Sequence, residues 1–210
     1  MSKRVKGFSF LEVLIVVAIL SVVLSAIFGI AYQAQRSFDE EKRFTETSQH
    51  ARVAMDEIVR YIRQAGNDPY PKEGTPFPAI EIGLGGNQIT VRSDITGSYD
   101  GRTGDPDKAL NSPMEDVTIK FESGTVWIQD NRTGGGFQPL ADNIETPPGE
   151  TFFKFYDSAG NQTTVNDQIV SVEVAIAAKT PPRAGNMRNT VTYRSHVFIR
   201  SKAFDVFATP

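Results

Sequence analysis

The most chemically suggestive grouping of side chains stands at the start of the chain. Lys3, Arg4 and Lys6 precede a Gly7-Phe8 junction, and one carboxylate, Glu12, stands just ahead of an apolar run from Val13 to Tyr32. An acid at hydrocarbon depth costs on the order of 3 kcal/mol on insertion scales, so Glu12 calls for a partner there. A free α-amino group, cationic near neutral pH, would serve. The plainer alternative has Glu12 at headgroup level and merely tolerated. The run that follows is interrupted only by Ser21, Ser25 and Gly29. It supplies the roughly 20 residues, at about 1.5 Å rise each, that a membrane span requires.

A second constellation lies between Asp94 and Asp116. Asp94, Asp100, Asp105, Asp107, Glu115 and Asp116 are interleaved with Gly97, Gly101 and Gly104. Oxygen ligands around a sharp glycine turn are what calcium requires, so calcium is the one cofactor this pattern would suit. The loop departs from the EF-hand spacing at Thr96 and Ser98, and Arg102 adds positive charge. The other reading is a solvated acidic loop between two strands, with no cofactor. Catalysis finds little support. His50 and His196 share no metal or triad spacing, and no nucleophile elbow, phosphate loop or dinucleotide fingerprint occurs. Arg132 beside Gly134-Gly135-Gly136 reads as a turn rather than a phosphate cradle, because no helix follows. No enzymatic activity is expected.

These residues need elements to hold them. Gln33 to Ala65 contains neither proline nor glycine, and Phe38, Phe44, Ala51, Ala54, Met55, Ile58 and Ile62 recur at helical spacing. Gly66, Asn67 and Pro69 then form a stop signal. Span and amphipathic stretch thus read as one helix of about 55 residues, roughly 80 Å long, with Arg52, Asp56, Glu57, Arg60 and Arg63 mostly off the apolar stripe. Asp68 to Gly86 reads as a Pro- and Gly-rich loop. Strands are expected at 88–93, 117–122, 125–129, 151–156, around 170–176 with Ser171 and Glu173 facing out, and at 191–199. Ser123-Gly124 reads as a hairpin turn. Most of the aromatic area of Trp127, Phe152, Phe153, Phe155 and Tyr156 should be core. The expected class is α+β: a long helix laid on an antiparallel sheet of about five or six strands.

The chain has 210 residues, enough for an anchor and one medium domain, and a net charge of −3, which suggests no broad nucleic-acid surface. It has no cysteine, so stability rests on core burial and strand pairing. The basic head before the span and Asp39, Glu40 and Glu41 after it place the head in the cytoplasm and the remainder across the membrane.

The basic leader, Gly7-Phe8 junction, Glu12 and span together resemble the processing signature of type IV pilins and pseudopilins. The resemblance implies cleavage between Gly7 and Phe8 by the prepilin peptidase, N-methylation of Phe8, and pairing of Glu12 with the mature N-terminus of a neighbouring subunit. It divides the chain into a leader (1–7), a transmembrane or filament-core helix (8–32), the amphipathic half of that helix (33–66) and a β-rich globular domain (67–210). Family members often carry Pro or Gly where Gly29 stands, which would let the helix loosen during assembly; a tolerated membrane-helix glycine is the equal alternative. Gln49 to Gly66, ending Arg63-Gln64-Ala65-Gly66, looks like the helix of PilW-type minor pilins; Pro139 to Glu145, with the aromatic strand and Gly turn that follow, resembles their C-terminal half, and the acidic loop is similar to the Asp- and Gly-rich loop they often show at that point.

The function implied is that of a minor pilin, a structural subunit of a type IV pilus in the tip or priming complex. Its partners would be other minor and major pilins, the prepilin peptidase, the inner-membrane assembly platform and, before assembly, membrane lipid, with no nucleic acid. It would pass once through the inner membrane and end in a pilus or pseudopilus. Three alternatives stay open. A J-type minor pseudopilin of type II secretion shares every physical feature. A membrane-anchored periplasmic enzyme or binding module would not need Glu12. An ordinary secretory signal would have a shorter apolar core, with a cut after a site such as Leu24-Ser25-Ala26.

Overall fold

The computed structural model describes residues 9–68, 77–99, 102–103, 106–107, 109–179 and 190–201. The chain divides into two units, 1–43 and 44–210, and the helix α1 (Phe10–Gln64) runs without interruption through the boundary between them.

In the first unit, residues 9–32 are exposed throughout. An 18-residue window of α1 reaches a mean hydropathy of 3.0 with none of it buried, so α1 is long and apolar enough to cross a membrane. The two hydroxyls of this stretch bond within the helix: Ser21 Oγ donates to the Val17 carbonyl at 2.7 Å and Ser25 Oγ to the Ser21 carbonyl at 2.8 Å. Each donor is thereby satisfied without water. Phe38, the first of the recurring apolar residues after the span, is 70% exposed.

In the second unit α1 buries Thr47, Ala51, Ala54, Met55, Ile58, Val59, Tyr61 and Ile62. The recurrence of these positions at steps of three and four (47, 51, 54, 58, 61 or 62) makes a continuous stripe. It joins one core cluster with Ile80, Ile89, Val117, Ile119, Phe153, Val172, Val174, Ile176 and Val197. Helix and strands here form the expected α+β arrangement, a long helix packed against antiparallel sheet. The strands, however, are shared out. One sheet has the order β1 (Ile80–Gly83), β2 (Gln88–Arg92), β5 (Asp116–Glu122), β6 (Thr125–Asp130), β7 (Gln138–Asp142). A second has β11 (Thr190–Phe198) beside β10 (Ser171–Lys179), which also pairs with β8 (Ile144–Glu145) and β9 (Phe153–Tyr156). A short ribbon, β3 (Ser98–Tyr99) with β4 (Arg102–Thr103), stands apart.

The predicted hairpin is present. Glu122 pairs with Thr125 across Ser123 and Gly124, whose φ values of 53° and 82° are both positive, as a type I′ turn demands. Five strands went unread: β1, β3, β4, β7 and β8. β1 lies inside the stretch expected to be loop, where Ile80 and Ile82 alternate opposite Val91 and Ile89. β7 contains Pro139, which is tolerated because β7 is the edge of its sheet. Ser171, expected to face out, is buried at 3% exposure, because β10 is covered on both faces. Phe152, Phe153 and Phe155 are buried as expected, with Phe121 stacked on Phe152 at 5.2 Å and Phe153 edge-on to it at 4.7 Å. Trp127 and Tyr156 are only half-buried.

Candidate functional site: the head of the long helix

Gly7 and Phe8 lie outside the described residues. Glu12 is described and exposed. It occupies the third helical position after the cap residue Ser9, and its Oε2 accepts a hydrogen bond from the Ser9 backbone N–H at 2.9 Å. The Ser9-Phe10-Leu11-Glu12 sequence therefore contributes the carboxylate arm of a capping box, with the acid in the favourable first turn of the helix dipole. Serine three residues ahead of glutamate, directly before an apolar run, is the signal that would have revealed this in the sequence. Glu12 thus has a structural task within its own helix, and its Oε1 carries no bond within the described chain. Below it, Val13, Leu14, Ile15, Val16, Val17, Ile19 and Leu20 are all exposed large apolar side chains. Such a rod is soluble in lipid or against other apolar helices and not in water.

The second constellation is drawn together around Glu115. This side chain is wholly buried. Its Oε1 accepts from the backbone N–H groups of Ile95 at 3.1 Å and Thr96 at 3.0 Å, and its Oε2 from those of Asn111 at 3.1 Å and Ser112 at 2.9 Å. Four donors occupy the roughly four lone-pair sites of one carboxylate. Asp94, also wholly buried, accepts from the Asp107 N–H at 3.1 Å, and Asp107 accepts from the Ala109 N–H at 3.1 Å. Asp116 takes Asn131 Nδ2 at 2.7 Å on one oxygen and the Arg132 guanidinium at 3.1 Å on the other. Glu115, Asp94 and Asp107 thus face the loop's own donors and tie its two ends together, while Asp116 fastens the loop's end to Asn131 and Arg132. Asp100 and Asp105 lie outside the described residues. Among the described residues no group of three or more acids or histidines is placed to hold a metal ion.

His50 is exposed on α1, and His196 is exposed on β11 with Nε2 2.8 Å from Ser171 Oγ and its ring stacked 5.3 Å from Phe198. A further charged cluster went unforeseen. Arg194 grips Glu150 with two bonds of 2.6 Å, Lys154 adds a third at 2.8 Å, and Glu173 accepts from the Tyr156 hydroxyl at 2.9 Å. The Arg194 guanidinium, with Lys154 behind it, holds the Glu150 carboxyl at about 2, well below the ordinary carboxylate value.

An exposed apolar helix with an acid in its first turn, continued by a stripe packed against antiparallel strands, is a pilin-like arrangement. Residues 2–28 match the family model described as the prokaryotic N-terminal methylation motif, which supports a type IV pilin-like or pseudopilin-like protein. That motif implies processing by prepilin peptidase and assembly with other pilins, and together with the apolar helix it is consistent with membrane anchoring. Comparison with curated proteins and with solved structures gave no match.

Proposed function

We propose that the protein is a minor pilin of the PilW type, a structural subunit in the priming or tip complex of a type IV pilus. The observation that carries this reading is the methylation motif over residues 2–28, which takes in the exposed apolar head of α1 with one acid in its first turn. Removal of residues 1–7 would expose the Phe8 amine, the site of methylation, on the cytoplasmic side. Glu12 of one subunit and the amine of the next would then fix the axial offset between neighbouring helices, because an ion pair in a low-dielectric surround is far stronger than in water. The apolar helix would exchange lipid for other helices, and the β-rich unit would make the lateral contacts. Such a subunit has no need of a catalytic group. Its partners would be the other pilins, the peptidase and the inner-membrane platform.

The test is an assembly assay. Glu12→Ala should abolish incorporation into filaments while the protein still accumulates in the membrane, and leader cleavage, read by mass spectrometry, should persist. Normal incorporation of the alanine variant, or fibres containing protein with Met1 to Gly7 attached, would overturn the reading. The J-type pseudopilin of type II secretion makes the same prediction for Glu12. It separates on which machinery's substrates or fibres are lost when the chain is deleted.

A further inference from the structure

Within the second unit, a groove of about 600 Å³ runs between the flank of α1 and strand β11. Its lining is markedly basic: Arg52, Arg60 and Arg63 come from the helix, Arg194 from β11 and Arg200 from just beyond it, with Asp56 the one acid. Positions 52, 56, 60 and 63 follow one another at spacings of four, four and three, which sets them on one face of α1. Two of the arginines are engaged. Arg60 pairs with Glu57 and lies 5.2 Å over the Tyr61 ring, and Arg194 holds Glu150. The side chains of Arg52, Arg63 and Arg200 are exposed and make no hydrogen bond or ion pair among the described residues, and neither does that of Asp56. Three free guanidiniums against one free carboxylate thus converge on one groove, in a chain whose net charge is −3. Scattered surface arginines would be solvated and unremarkable; their convergence with the next feature gives these a common use.

That feature is the strand wall. β11 is nine residues long and lies at the end of its sheet, with β10 its one partner among the described residues. Tyr193, Arg194 and Ser195 of β11 line the groove. A long outer strand presents backbone N–H and C=O groups that an extended peptide can complete as an added strand. Tyr193 is fixed against the helix by a 2.6 Å hydrogen bond between its hydroxyl and Ser48 Oγ, so this wall is set before any ligand arrives.

We propose that the groove docks an extended acidic segment of a partner protein, added beside β11 with its carboxylates paired to Arg52, Arg63 and Arg200. Guanidinium forks suit carboxylates bidentately. A nucleic acid would use the cations alone and leave the strand edge idle, and its phosphates would meet Asp56 and an acidic chain. The proposal goes beyond the filament reading and does not depend on it.

The test uses the full chain in detergent micelles and a capped, fluorescein-labelled heptapeptide of alternating aspartate and valine, followed by anisotropy. Saturable binding is expected, weakened at least tenfold by Arg52→Glu with Arg63→Glu and restored in that double variant by the matching lysine–valine peptide. Arg63→Gln, which removes a charge without reversing it, should weaken binding in the same direction. Both arginines are exposed and unpaired, so the melting temperature should hold. N-methylation of alternate peptide amides should cost a further tenfold, since it blocks strand pairing and leaves charge alone. The proposal is overturned if the peptide does not saturate, if the reversals change nothing, if the N-methylated peptide binds as well as its parent, or if inorganic phosphate or a single-stranded oligonucleotide competes equally at matched charge.

Discussion

Glu115 illustrates what a single carboxylate does when its acceptor sites are filled by backbone donors. Two strand-flanking segments, 95–96 and 111–112, are held to it by four N–H groups. Glutamine in its place would turn an amide NH₂ toward two of those donors and leave them part-buried without acceptors, each costing about 1–3 kcal/mol. Glu115→Gln should therefore lower unfolding free energy by roughly 3 kcal/mol or more, read as an earlier denaturant midpoint with an unchanged slope. The acid-rich composition of this loop was legible in the sequence, and its role was not. Alternating acids look alike whether they face a cation or an amide. Only tertiary closure, with Ser93 N–H bonded to the Glu115 carbonyl at 2.9 Å, turns them inward.

At the scale of elements, local periodicity decided what could be read in advance. The helix, the Ser123-Gly124 hairpin and strands β2, β5, β6 and β9 carry their signal in consecutive residues. β1 is four residues long beside a Pro- and Gly-rich stretch, and β7 contains a proline, so each is defined by its neighbours rather than by itself. The apolar run Val174-Ala175-Ile176-Ala177-Ala178 was the available sign that β10 is covered on both faces. The end of α1 was readable and is tightly set. Gly66 sits at φ +67°, its N–H bonded to the Arg92 carbonyl at 2.7 Å, and a Cβ there would lie 2.5 Å from Ser201 Oγ and 2.8 Å from Ala79 Cβ. Gly66→Ala should cost about 2–3 kcal/mol from left-handed strain plus overpacking. A thermal melt would show it as a clear loss of stability, and retention of wild-type stability would mean that the turn is looser than described.

For the molecule as a whole, the absence of cysteine leaves packing and charge to set stability. The charge share has a defined pH window. The Glu150 carboxyl is held near 2 in the folded state, against an ordinary value of 4.5. Its contribution is therefore present above about 4.5 and is lost as pH falls toward 2. The stability difference between wild type and Glu150→Gln, measured by urea titration, should shrink across that interval and stay constant above it. A difference independent of pH would mean that the Arg194–Glu150 contact contributes through packing alone. The N-terminal motif was the most legible feature of the chain, because leader charge, acid and span are written consecutively. The arginine groove was the least legible, since it joins residues about 140 positions apart by strand placement that no local pattern encodes.

One detail of the helix head has a mechanical consequence. Because Oε2 of Glu12 already accepts from the Ser9 backbone amide of its own helix cap, Oε1 is the freer of its two oxygens, and in the filament proposed above a neighbour's terminal amine would meet it first. A joint made mainly through one oxygen would fix height along the rod yet allow swivel about it. In a fibre built this way, rise would be dictated at the stems, and twist would be left to the β-rich heads.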